Sequence, residues 1–518
     1  MAIAFAHLYD LVGRWAAETP ERTALEFGES RWTWRELDER SRRSAGALRA
    51  AGVQPGDRVA FLEKNHPACL ETTFAATLCG AVNAVVNFRL SPSEIADVID
   101  DSRATVLFVG AELVDGLEQV RDRLETVERV VIVGGDADEY ESWLARAEPI
   151  EAAVLGDPDD CCLQLYTSGT TGLPKGAMLT HRGIAAHTTA VAEEFSMTAE
   201  SVSVVAMPLF HVGGICYAFV SLLAGARTLL VREPIPDAIF DLAEREQATH
   251  GFFVPALFAA FMQTPERARE ALSGMECLVY GASPMPLPLL ERCLELLPVD
   301  FHQVYGMTEM AGVISALGPE EHRNAERRDL LVSAGRPIRD AEVKVVDAVT
   351  LEDVPLGEVG ELWIRSPQVM AGYWDKPDAT AQVLELDGWY RTGDVGIVDG
   401  DGYLFIQDRV KDMIISGGEN IYAAEVERAA IEHPAVADVA VIGIPDDRWG
   451  EAVKAVVVPA EGAEVDADEL IAFCRARLAH YKCPTSVDLV EMLPRNMTGK
   501  VLKRELRDPY WAGRERPI

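Results

Sequence analysis

One stretch of the chain fits neither a packed strand nor a helix. Residues 165–176 read Leu-Tyr-Thr-Ser-Gly-Thr-Thr-Gly-Leu-Pro-Lys-Gly and follow an apolar, β-rich segment at residues 161–166. Glycines let backbone N–H groups approach a ligand closely, hydroxyls add short donors, and Lys175 adds a mobile positive charge. The stretch therefore predicts a phosphate-binding loop that follows a strand.

Two simpler interpretations of this stretch were weighed. A Walker A loop needs four residues between its last two glycines and a Ser or Thr after the lysine. Here two residues separate Gly169 from Gly172, and Gly176 follows Lys175, so the Walker pattern is excluded. A plain surface loop is the remaining alternative, because Gly, Ser and Thr are frequent in such loops.

Helix and strand patterns alternate over much of the chain. A helical pattern opens at Arg31, runs through Leu48 and stops near Gly52, and a strand pattern follows at residues 57–62. Ser91 begins a second helix. Further apolar strand patterns lie at residues 104–109, 129–133, 228–231, 251–254 and 277–280. The alternation predicts an α/β fold with largely parallel sheets.

The pattern changes between about Gly335 and Asp408. Short β runs at residues 343–346, 360–364 and 402–406 are separated by Gly and Asp turns, which predicts a small antiparallel barrel or sheet. After Lys411 the α/β pattern returns, with a helix at 422–432, a strand at 436–442 and a helix at 467–478. We therefore predict an N-terminal domain over residues 1–410 and a C-terminal domain over residues 411–518.

Composition narrows the classes of function. A formal net charge of −35 over 518 residues argues against nucleic acid or an anionic membrane as a partner, since both need a basic face. Nine cysteines without a Cys-x-x-Cys pair favour a reduced chain without a structural zinc site, and the N-terminus lacks a signal-peptide pattern. A cytoplasmic location is expected. The uncharged segment 201–226 is interrupted by Pro208 and Gly213, so a buried strand, turn and helix is expected rather than a membrane span.

Four further stretches carry chemistry. Residues 304–309, Val-Tyr-Gly-Met-Thr-Glu, combine an aromatic face, a close-approach glycine, a hydroxyl and a carboxylate, which suits a purine nucleotide with Mg²⁺. His211 stands on a turn after a strand, where a partly buried structural histidine is the alternative. Taken alone, Asp394 in Trp-Tyr-Arg-Thr-Gly-Asp is a turn cap, and Lys500 belongs to a basic surface loop.

Together these stretches resemble the adenylate-forming superfamily, which includes acyl-CoA and aryl-CoA synthetases, luciferases and peptide-synthetase adenylation domains. The matches run in the family's order from about Thr33 to Lys500. The resemblance implies a large N-terminal domain of layered α/β subdomains with a small β-barrel, and a small mobile α+β C-terminal domain. It also implies a ligase that uses ATP and Mg²⁺ to adenylate a small carboxylic acid and transfers the acyl group to CoA.

The resemblance assigns roles to individual positions. It places the ATP phosphates on Thr167, Ser168, Gly169, Thr170, Thr171, Gly172 and Lys175. It places the adenosine near Gly281, Ala282, Ser283, Tyr305, Gly306, Asp394 and Arg409, the last two at the ribose or phosphates. It gives catalytic roles to Lys500, Thr308, Glu309 and His211, with Thr308 at the α-phosphate, Glu309 as the Mg²⁺ ligand and Lys500 bridging the carboxylate and the α-phosphate. Lys411 is the implied hinge between the domains.

The acid and its acceptor are less closely defined. The implied acid pocket suggests an aryl or medium-length acyl group and comprises His211, Val212, Phe252, Gly306, Met307, Met310 and Ala311. The implied CoA channel comprises Ser416, Gly417, Gly418, Glu419 and Trp449.

One departure from the family pattern leaves alternatives open. After Tyr-Lys-Cys-Pro the chain has Thr485 and Ser486 where many CoA-using relatives have Lys or Arg; Lys482, Arg475 and Arg477 are candidate substitutes. The acceptor could therefore be an amine, a carrier-protein thiol or another small nucleophile, or the acid could be inorganic, such as nitrite. An inactive nucleotide-binding scaffold is a further alternative. A homodimer is one option for the oligomeric state, which the sequence leaves open.

Overall fold

The chain divides into two units. The computed structural model describes residues 5–167, 174–348, 350–409, 412–416, 419–446, 448–495 and 501–512, with backbone only at Glu419 and Asn420. The first unit comprises residues 1–342 and 365–390, and the second comprises residues 343–364 and 391–518. The boundary after residue 410 drawn from the sequence stays a prediction.

Strands account for much of both units. In chain order they are β1 (Thr23–Phe27), β2 (Ser30–Thr33), β3 (Arg58–Leu62), β4 (Val82–Val85), β5 (Ala104–Gly110), β6 (Arg129–Val133), β7 (Cys161–Thr167), β8 (Lys175–Thr180), β9 (Val202–Val205), β10 (Arg227–Leu230), β11 (His250–Phe253), β12 (Cys277–Gly281), β13 (Asp300–Met307), β14 (Gly312–Leu317), β15 (Arg336–Pro337), β16 (Glu342–Val346), β17 (Gly360–Arg365), β18 (Gly372–Tyr373), β19 (Tyr390–Val398), β20 (Leu404–Arg409), β21 (Ile414–Ser416), β22 (Glu419–Ile421), β23 (Val436–Asp446), β24 (Gly450–Pro459) and β25 (Ser486–Leu489).

Helices connect most of these strands. In chain order they are α1 (Asp10–Glu18), α2 (Trp34–Ala50), α3 (Pro67–Leu78), α4 (Pro92–Ser102), α5 (Val114–Glu118), α6 (Tyr140–Arg146), α7 (His181–Glu194), α8 (Val212–Ala224), α9 (Pro236–Glu246), α10 (Pro255–Phe261), α11 (Pro265–Leu272), α12 (Leu287–Leu296), α13 (Pro319–Arg323), α14 (Pro377–Ala381), α15 (Ala423–Ala430), α16 (Ala467–Arg475) and α17 (Lys503–Trp511). Short 3₁₀ turns lie at Ala111–Leu113, Arg121–Arg123, Thr308–Met310, Arg328–Val332 and His480–Lys482.

Two sheets form the first unit. One has nine strands in the order β15-β14-β13-β12-β11-β9-β10-β1-β2, parallel from β13 to β1 and antiparallel at both ends. The other has seven strands in the order β18-β8-β7-β4-β3-β5-β6, with β7, β4, β3, β5 and β6 parallel. The central strands are apolar along almost their whole length, as expected where helices cover both faces of a parallel sheet. The predicted α/β layering is confirmed.

Helix ends in the first unit follow from capping chemistry. Ser91 accepts a hydrogen bond from the Glu94 N–H and begins α4 as predicted. The predicted start of α2 was wrong, because residues 30–33 form β2 and pair with β1. The Thr33 side chain accepts from the Glu36 N–H, so the helix begins only at Trp34. Residues 201–226 form β9 and α8 with a turn between them, as expected.

The second unit contains two smaller sheets. One is a four-stranded sheet with the order β16-β17-β19-β20. Of the two predicted forms for this region, a small barrel or a small sheet, the structure therefore has the sheet. Its strand-end residues Glu342, Arg365 and Tyr390 belong to the first unit. The other sheet has the order β22-β21-β24-β23 with β25 beside β24, and α15 and α16 pack on its apolar core. Along the described part of the chain, none of the helices combines the length and apolarity that crossing a bilayer requires.

Candidate active site

The predicted phosphate loop connects two antiparallel strands. β7 ends at Thr167, β8 begins at Lys175, and these two residues are paired in register. Both ends of the loop therefore join strands of the seven-stranded sheet. The sequence predicted the strand that precedes the loop. Five of its predicted contact residues lie outside the described residues: Ser168, Gly169, Thr170, Thr171 and Gly172.

Tyr373 connects Lys175 to Glu309. Its hydroxyl donates a 2.8 Å hydrogen bond to Glu309 Oε1, and the Lys175 ammonium lies 5.1 Å from the centre of its ring. Burial and the Glu309 carboxylate raise the pKa of the Tyr373 hydroxyl, so the hydroxyl keeps its proton and remains a donor. Tyr373 thus contacts both Lys175 and Glu309, which are far apart in sequence.

The backbone around Tyr373 fixes this arrangement. β18 pairs with β8, and the Trp374 N–H donates to the Gly176 carbonyl at 2.8 Å. The Met370 N–H donates to the Glu309 carbonyl at 2.8 Å. The segment 370–374 therefore links the strand that carries Lys175 to the 3₁₀ turn that carries Glu309. Sequence reasoning missed this segment, because its apolar residues have no chemical signal of their own.

The predicted adenine-binding residues lie where parallel strands end. β12 ends at Gly281, and Ala282 follows with a left-handed φ of +66°. On the neighbouring strand, Tyr305 precedes an irregularity in the pairing of β13 with β14, and Thr308 opens the 3₁₀ turn. Ser283, Thr308 and Glu309 are all partly exposed. Ligands of open α/β sheets bind at such carboxyl ends of strands.

An apolar cavity lies beside these strand ends. Its walls come from α7, α8 and the ends of β11 to β14, and they consist of His187, Val191, Phe195, His211, Val212, Gly213, Tyr217, Val220, Phe252, Ala282, Val304, Gly306, Gly312 and Val313. Four of the predicted acid-pocket residues are in this wall: His211, Val212, Phe252 and Gly306. Met307, Met310 and Ala311 are not, and Met310 and Ala311 have no exposed surface.

His211 begins helix α8 at the wall of the cavity. Its Nδ1 accepts a 3.0 Å hydrogen bond from the Gly213 N–H, so the ring proton is on Nε2. Desolvation lowers the pKa of His211 to about 4, which keeps the ring neutral at ordinary pH. The turn before it is held by buried Asn65, which donates to the Met207 carbonyl and accepts from the Leu209 N–H.

His187 is a cavity residue that sequence reasoning missed. It lies on α7, its side chain is 2% exposed, and neither ring nitrogen has a hydrogen-bond partner within the described ranges. Burial lowers its pKa to about 3, so the ring is neutral. An unsatisfied buried polar group costs about 1–3 kcal/mol. In sequence, His187 looks like any histidine on the buried face of a helix.

The second unit carries two further predicted nucleotide contacts. Asp394 and Arg409 are paired across β19 and β20, and Arg409 Nε lies 3.1 Å from Asp394 Oδ1. Buried Glu361 accepts from the Gly393 N–H at 3.1 Å and fixes the backbone of β19 beside Asp394, where the sequence predicted a turn. A carboxylate at this position offers acceptor oxygens for hydroxyl groups.

The predicted CoA contacts lie in the same unit. Ser416 ends β21 and pairs with Glu419 of the neighbouring strand β22. Trp449 is 49% exposed, and the Arg448 guanidinium lies 4.4 Å from the centre of its ring. Lys411, Gly417, Gly418 and Lys500 lie outside the described residues.

Two of the three substitutes proposed for a missing cation, Lys482 and Arg477, are paired with carboxylates. Lys482 contacts both carboxylate oxygens of Glu425 at 2.8 Å, and Arg477 contacts Glu432 at 3.2 Å. Thr485 donates to a backbone carbonyl, that of Val453. In the described ranges, no group of three or more His, Cys, Asp or Glu side chains could hold a metal ion.

A layered α/β unit with the predicted phosphate-loop sequence after a strand, a Tyr-Gly-x-Thr-Glu turn at neighbouring strand ends and a smaller second unit is typical of an adenylate-forming enzyme. The family model for AMP-binding enzymes matches residues 12–374, and the model for the C-terminal domain of AMP-binding enzymes matches residues 425–500. The chain belongs to the AMP-binding enzyme family, within the adenylate-forming superfamily, and it is an AMP-forming ligase.

Individual proteins are similar over nearly the whole length. A feruloyl-CoA synthase of an Amycolatopsis species is 42% identical over 96% of this chain and 98% of its own length. A fatty acid–[acyl-carrier-protein] ligase, ScoC of Streptomyces coeruleorubidus, is 37% identical over 94% of this chain and 93% of its own. The crystal structure of ATP-bound MatB from Rhodopseudomonas palustris superposes with a TM-score of 0.89, at 29% identity over 98% of this chain and 99% of MatB.

Proposed function

We propose that this enzyme is an ATP-dependent acid–CoA ligase whose acid carries an aromatic group. The cavity carries this proposal, because the rings of Phe195, Tyr217 and Phe252 and several valines form its wall. Such walls suit an aromatic ring better than a charged or strongly polar chain. The 42% identity to a feruloyl-CoA synthase supports both the acid class and the CoA acceptor.

The reaction has two steps. A carboxylate oxygen of the acid attacks the α-phosphorus of ATP, the bond between the α- and β-phosphates breaks, and pyrophosphate leaves. The CoA thiol then loses its proton, its sulfur attacks the acyl carbon, and AMP leaves. Both steps bring anions together, so positioning and charge neutralisation matter more than a protein nucleophile.

The residues predicted from the sequence would serve these steps. Lys175, Arg409 and Lys500 would neutralise the phosphates, and Thr308 would donate to the α-phosphate. Asp394 would accept hydrogen bonds from the ribose hydroxyls.

Glu309 suits a Mg²⁺ ion, because it is partly exposed and the Tyr373 hydroxyl orients its carboxylate. Bound there with the triphosphate, Mg²⁺ would supply further positive charge.

The second step would use the other predicted residues. A rotation of the domain that begins at residue 411 about Lys411 would withdraw Lys500 and bring Ser416 to Glu419 to the site. Trp449, exposed beside Arg448, would line the path of CoA.

A homodimer also stays a prediction. Light scattering of the purified chain would test it.

A second candidate differs in its acceptor. Lys482 and Arg477 are paired with carboxylates, so two of the three cations expected to replace a missing Lys or Arg are already partly neutralised. A weaker anion site would bind the CoA nucleotide less tightly. The acceptor would then be another thiol or an amine, and the named acceptor of the ScoC ligase is a carrier protein.

Mass spectrometry of complete reactions tests both candidates. The enzyme is incubated with MgATP and a panel of aryl, short-chain and long-chain acids, each with and without CoA. A CoA thioester formed from aryl acids supports the proposal, whereas AMP or acyl-adenylate without thioester supports the second candidate. Thioesters formed only from aliphatic acids would contradict the aromatic assignment. Omitting Mg²⁺ in the presence of a chelator should abolish all products.

The role of Lys500 has its own test. The Lys500→Ala variant should lose adenylation, since the lysine neutralises charge in the first transition state. It should keep most of its rate when acyl-adenylate and CoA are supplied, because that step does not use the lysine. Equal loss of both half-reactions would reject the assignment.

A further inference from the structure

His187 is a buried polar side chain that the reaction described above does not use. It forms part of the cavity wall, and both of its ring nitrogens lack hydrogen-bond partners within the described ranges. The other polar side chains of the wall are engaged. His211 accepts from the Gly213 N–H through Nδ1, and the Tyr217 hydroxyl is bonded to Ser203 at 3.2 Å.

The neighbouring backbone packs closely against the His187 ring at the cavity wall. Gly312 also lines the cavity and has a φ of +130°, which favours glycine. A Cβ atom at Gly312 would lie 2.6 Å from His187 Nε2, too close for the ring to keep its position. Glycine at position 312 therefore allows the imidazole to stay where it lines the cavity.

The chemistry of a neutral imidazole defines what it can bind. Burial lowers the pKa of His187 to about 3, so one ring nitrogen donates and the other accepts. A hydroxyl group can both donate and accept, and so it fits either tautomer. A second carboxylate fits poorly, because the surrounding wall is apolar and would leave its charge unpaired.

We propose that His187 is a specificity-determining residue that hydrogen-bonds a hydroxyl substituent of the aromatic acid. This rests on the proposed function, and it adds the substituent and the side chain that recognises it. An acid that lacks the hydroxyl leaves the imidazole unpaired in the complex, and sites with such unpaired groups discriminate strongly.

Competing acids measure the effect directly. Pyrophosphate release is followed with cinnamic acid and with its 2-, 3- and 4-hydroxy derivatives at saturating MgATP and CoA, and kcat/KM is compared. The wild-type enzyme should favour at least one hydroxylated acid by about tenfold or more. His187→Leu should abolish this preference by losing activity on the hydroxylated acid, whereas His187→Gln, which keeps a donor and an acceptor, should retain part of it.

Val191→Ala is the matched control. Val191 lies one helical turn from His187 on α7 and lines the same cavity with an apolar side chain. Its truncation should change kcat/KM for substituted and unsubstituted acids together and leave their ratio within about threefold, since no hydrogen bond is lost. Turnover of cinnamic acid by each variant shows that it is folded.

Three outcomes would overturn the proposal. In the first, the wild-type enzyme shows no preference for any of the hydroxylated acids over cinnamic acid. This comparison needs no variant, so it tests the proposal even if the His187 variants fail to fold. In the second, His187→Leu keeps the wild-type preference. In the third, Val191→Ala abolishes the preference as fully as His187→Leu does. If no aromatic acid yields adenylate or thioester at all, the proposed function fails, and this proposal fails with it.

Discussion

At the scale of residues, the site depends on side chains that orient other side chains. Glu309 lies on a short 3₁₀ turn and is partly exposed. The Tyr373 hydroxyl restrains it through the 2.8 Å bond to Oε1, and the same ring lies under the Lys175 ammonium. A partner that orients a metal-binding carboxylate commonly matters nearly as much as the ligand itself.

Replacing Tyr373 by Phe should therefore impair adenylation. The substitution keeps the ring beneath Lys175 and removes the hydroxyl, with its bond to Glu309 and its interaction with Tyr390. We expect kcat/KM for pyrophosphate release to fall by roughly 10- to 100-fold, together with a higher Mg²⁺ concentration for half-maximal rate. Initial rates across a Mg²⁺ titration measure both quantities.

Tyr140→Phe is the control for Tyr373→Phe. The Tyr140 hydroxyl donates 2.8 Å to buried Glu71, away from the predicted nucleotide residues. Its loss should lower the free energy of unfolding by about 1–3 kcal/mol without changing the Mg²⁺ dependence. If Tyr373→Phe also lowers only stability and leaves the Mg²⁺ requirement as in the wild type, the orienting role is rejected.

Residues whose chemistry is local were predictable, and residues that act through packing were not. The loop before Lys175 and the turn around Glu309 combine glycines, hydroxyls and charges that no core needs, so their position at strand ends could be read from sequence. His187 and Tyr373 look like ordinary core residues, since each is buried in an apolar segment. Their importance comes from partners distant in sequence, which only the folded chain brings near.

At the scale of elements, the β13–β14 hairpin forms one wall of the cavity. Met307 is paired with Gly312 and Gly306 with Val313. A Cβ at Gly306 would overlap the Gly312 carbonyl oxygen, and one at Gly312 would approach His187. The two strands can be this close only because Gly306 lacks a side chain, and the His187 ring can lie this close to β14 only because Gly312 lacks one.

Gly312→Ala should damage both stability and activity. Its φ of +130° is unfavourable for alanine, and the added methyl would occupy space beside His187. We expect a loss of at least about 1 kcal/mol in the free energy of unfolding and a fall of roughly tenfold or more in kcat/KM for the acid. Urea unfolding and pyrophosphate release provide the two measurements.

Gly274→Ala provides the comparison. Gly274 lies outside the left-handed region, and a Cβ there would meet no atom within 4 Å. Its substitution should change stability by less than about 0.5 kcal/mol, or raise it slightly, and leave kcat/KM unchanged. Similar losses in both variants would show that the effect at Gly312 does not come from the cavity wall.

Element types were easier to predict than element ends. The strand predicted at 402–406 lies at 404–409, and the helix predicted at 467–478 ends at Arg475. The helical pattern before Trp34 failed because residues 30–33 pair with β1, and this pairing outweighs local propensity. Periodicity records which face is buried, whereas caps and partner strands decide where an element begins.

At the scale of the whole molecule, buried histidines make stability depend on pH. Burial lowers the pKa of six of the ten histidines: His66, His181, His187, His211, His250 and His322. All six lie in the first unit. In five of them the pKa is lowered to about 3 or 4. The pKa of His250 is lowered as well.

The direction of the pH effect follows from proton uptake. A free histidine has a pKa of about 6.5, so the unfolded chain takes up protons at these positions before the folded chain does. Their contribution to stability is therefore complete above about pH 6.5 and is lost as the pH falls towards about 4. Each additional proton bound by the unfolded chain changes the free energy of unfolding by about 1.4 kcal/mol per pH unit.

We therefore expect the urea midpoint of the first unit to fall steeply between about pH 7 and about pH 5, well above the range in which ordinary carboxylates titrate. His322→Gln removes one of these groups, together with its bonds to the Tyr280 hydroxyl and the Gly318 carbonyl. This variant should be less stable at about pH 7 yet lose less stability on acidification, by up to about 1.4 kcal/mol per pH unit. A constant midpoint across this range in the wild type, or an unchanged slope in the variant, would contradict the coupling between histidine burial and stability.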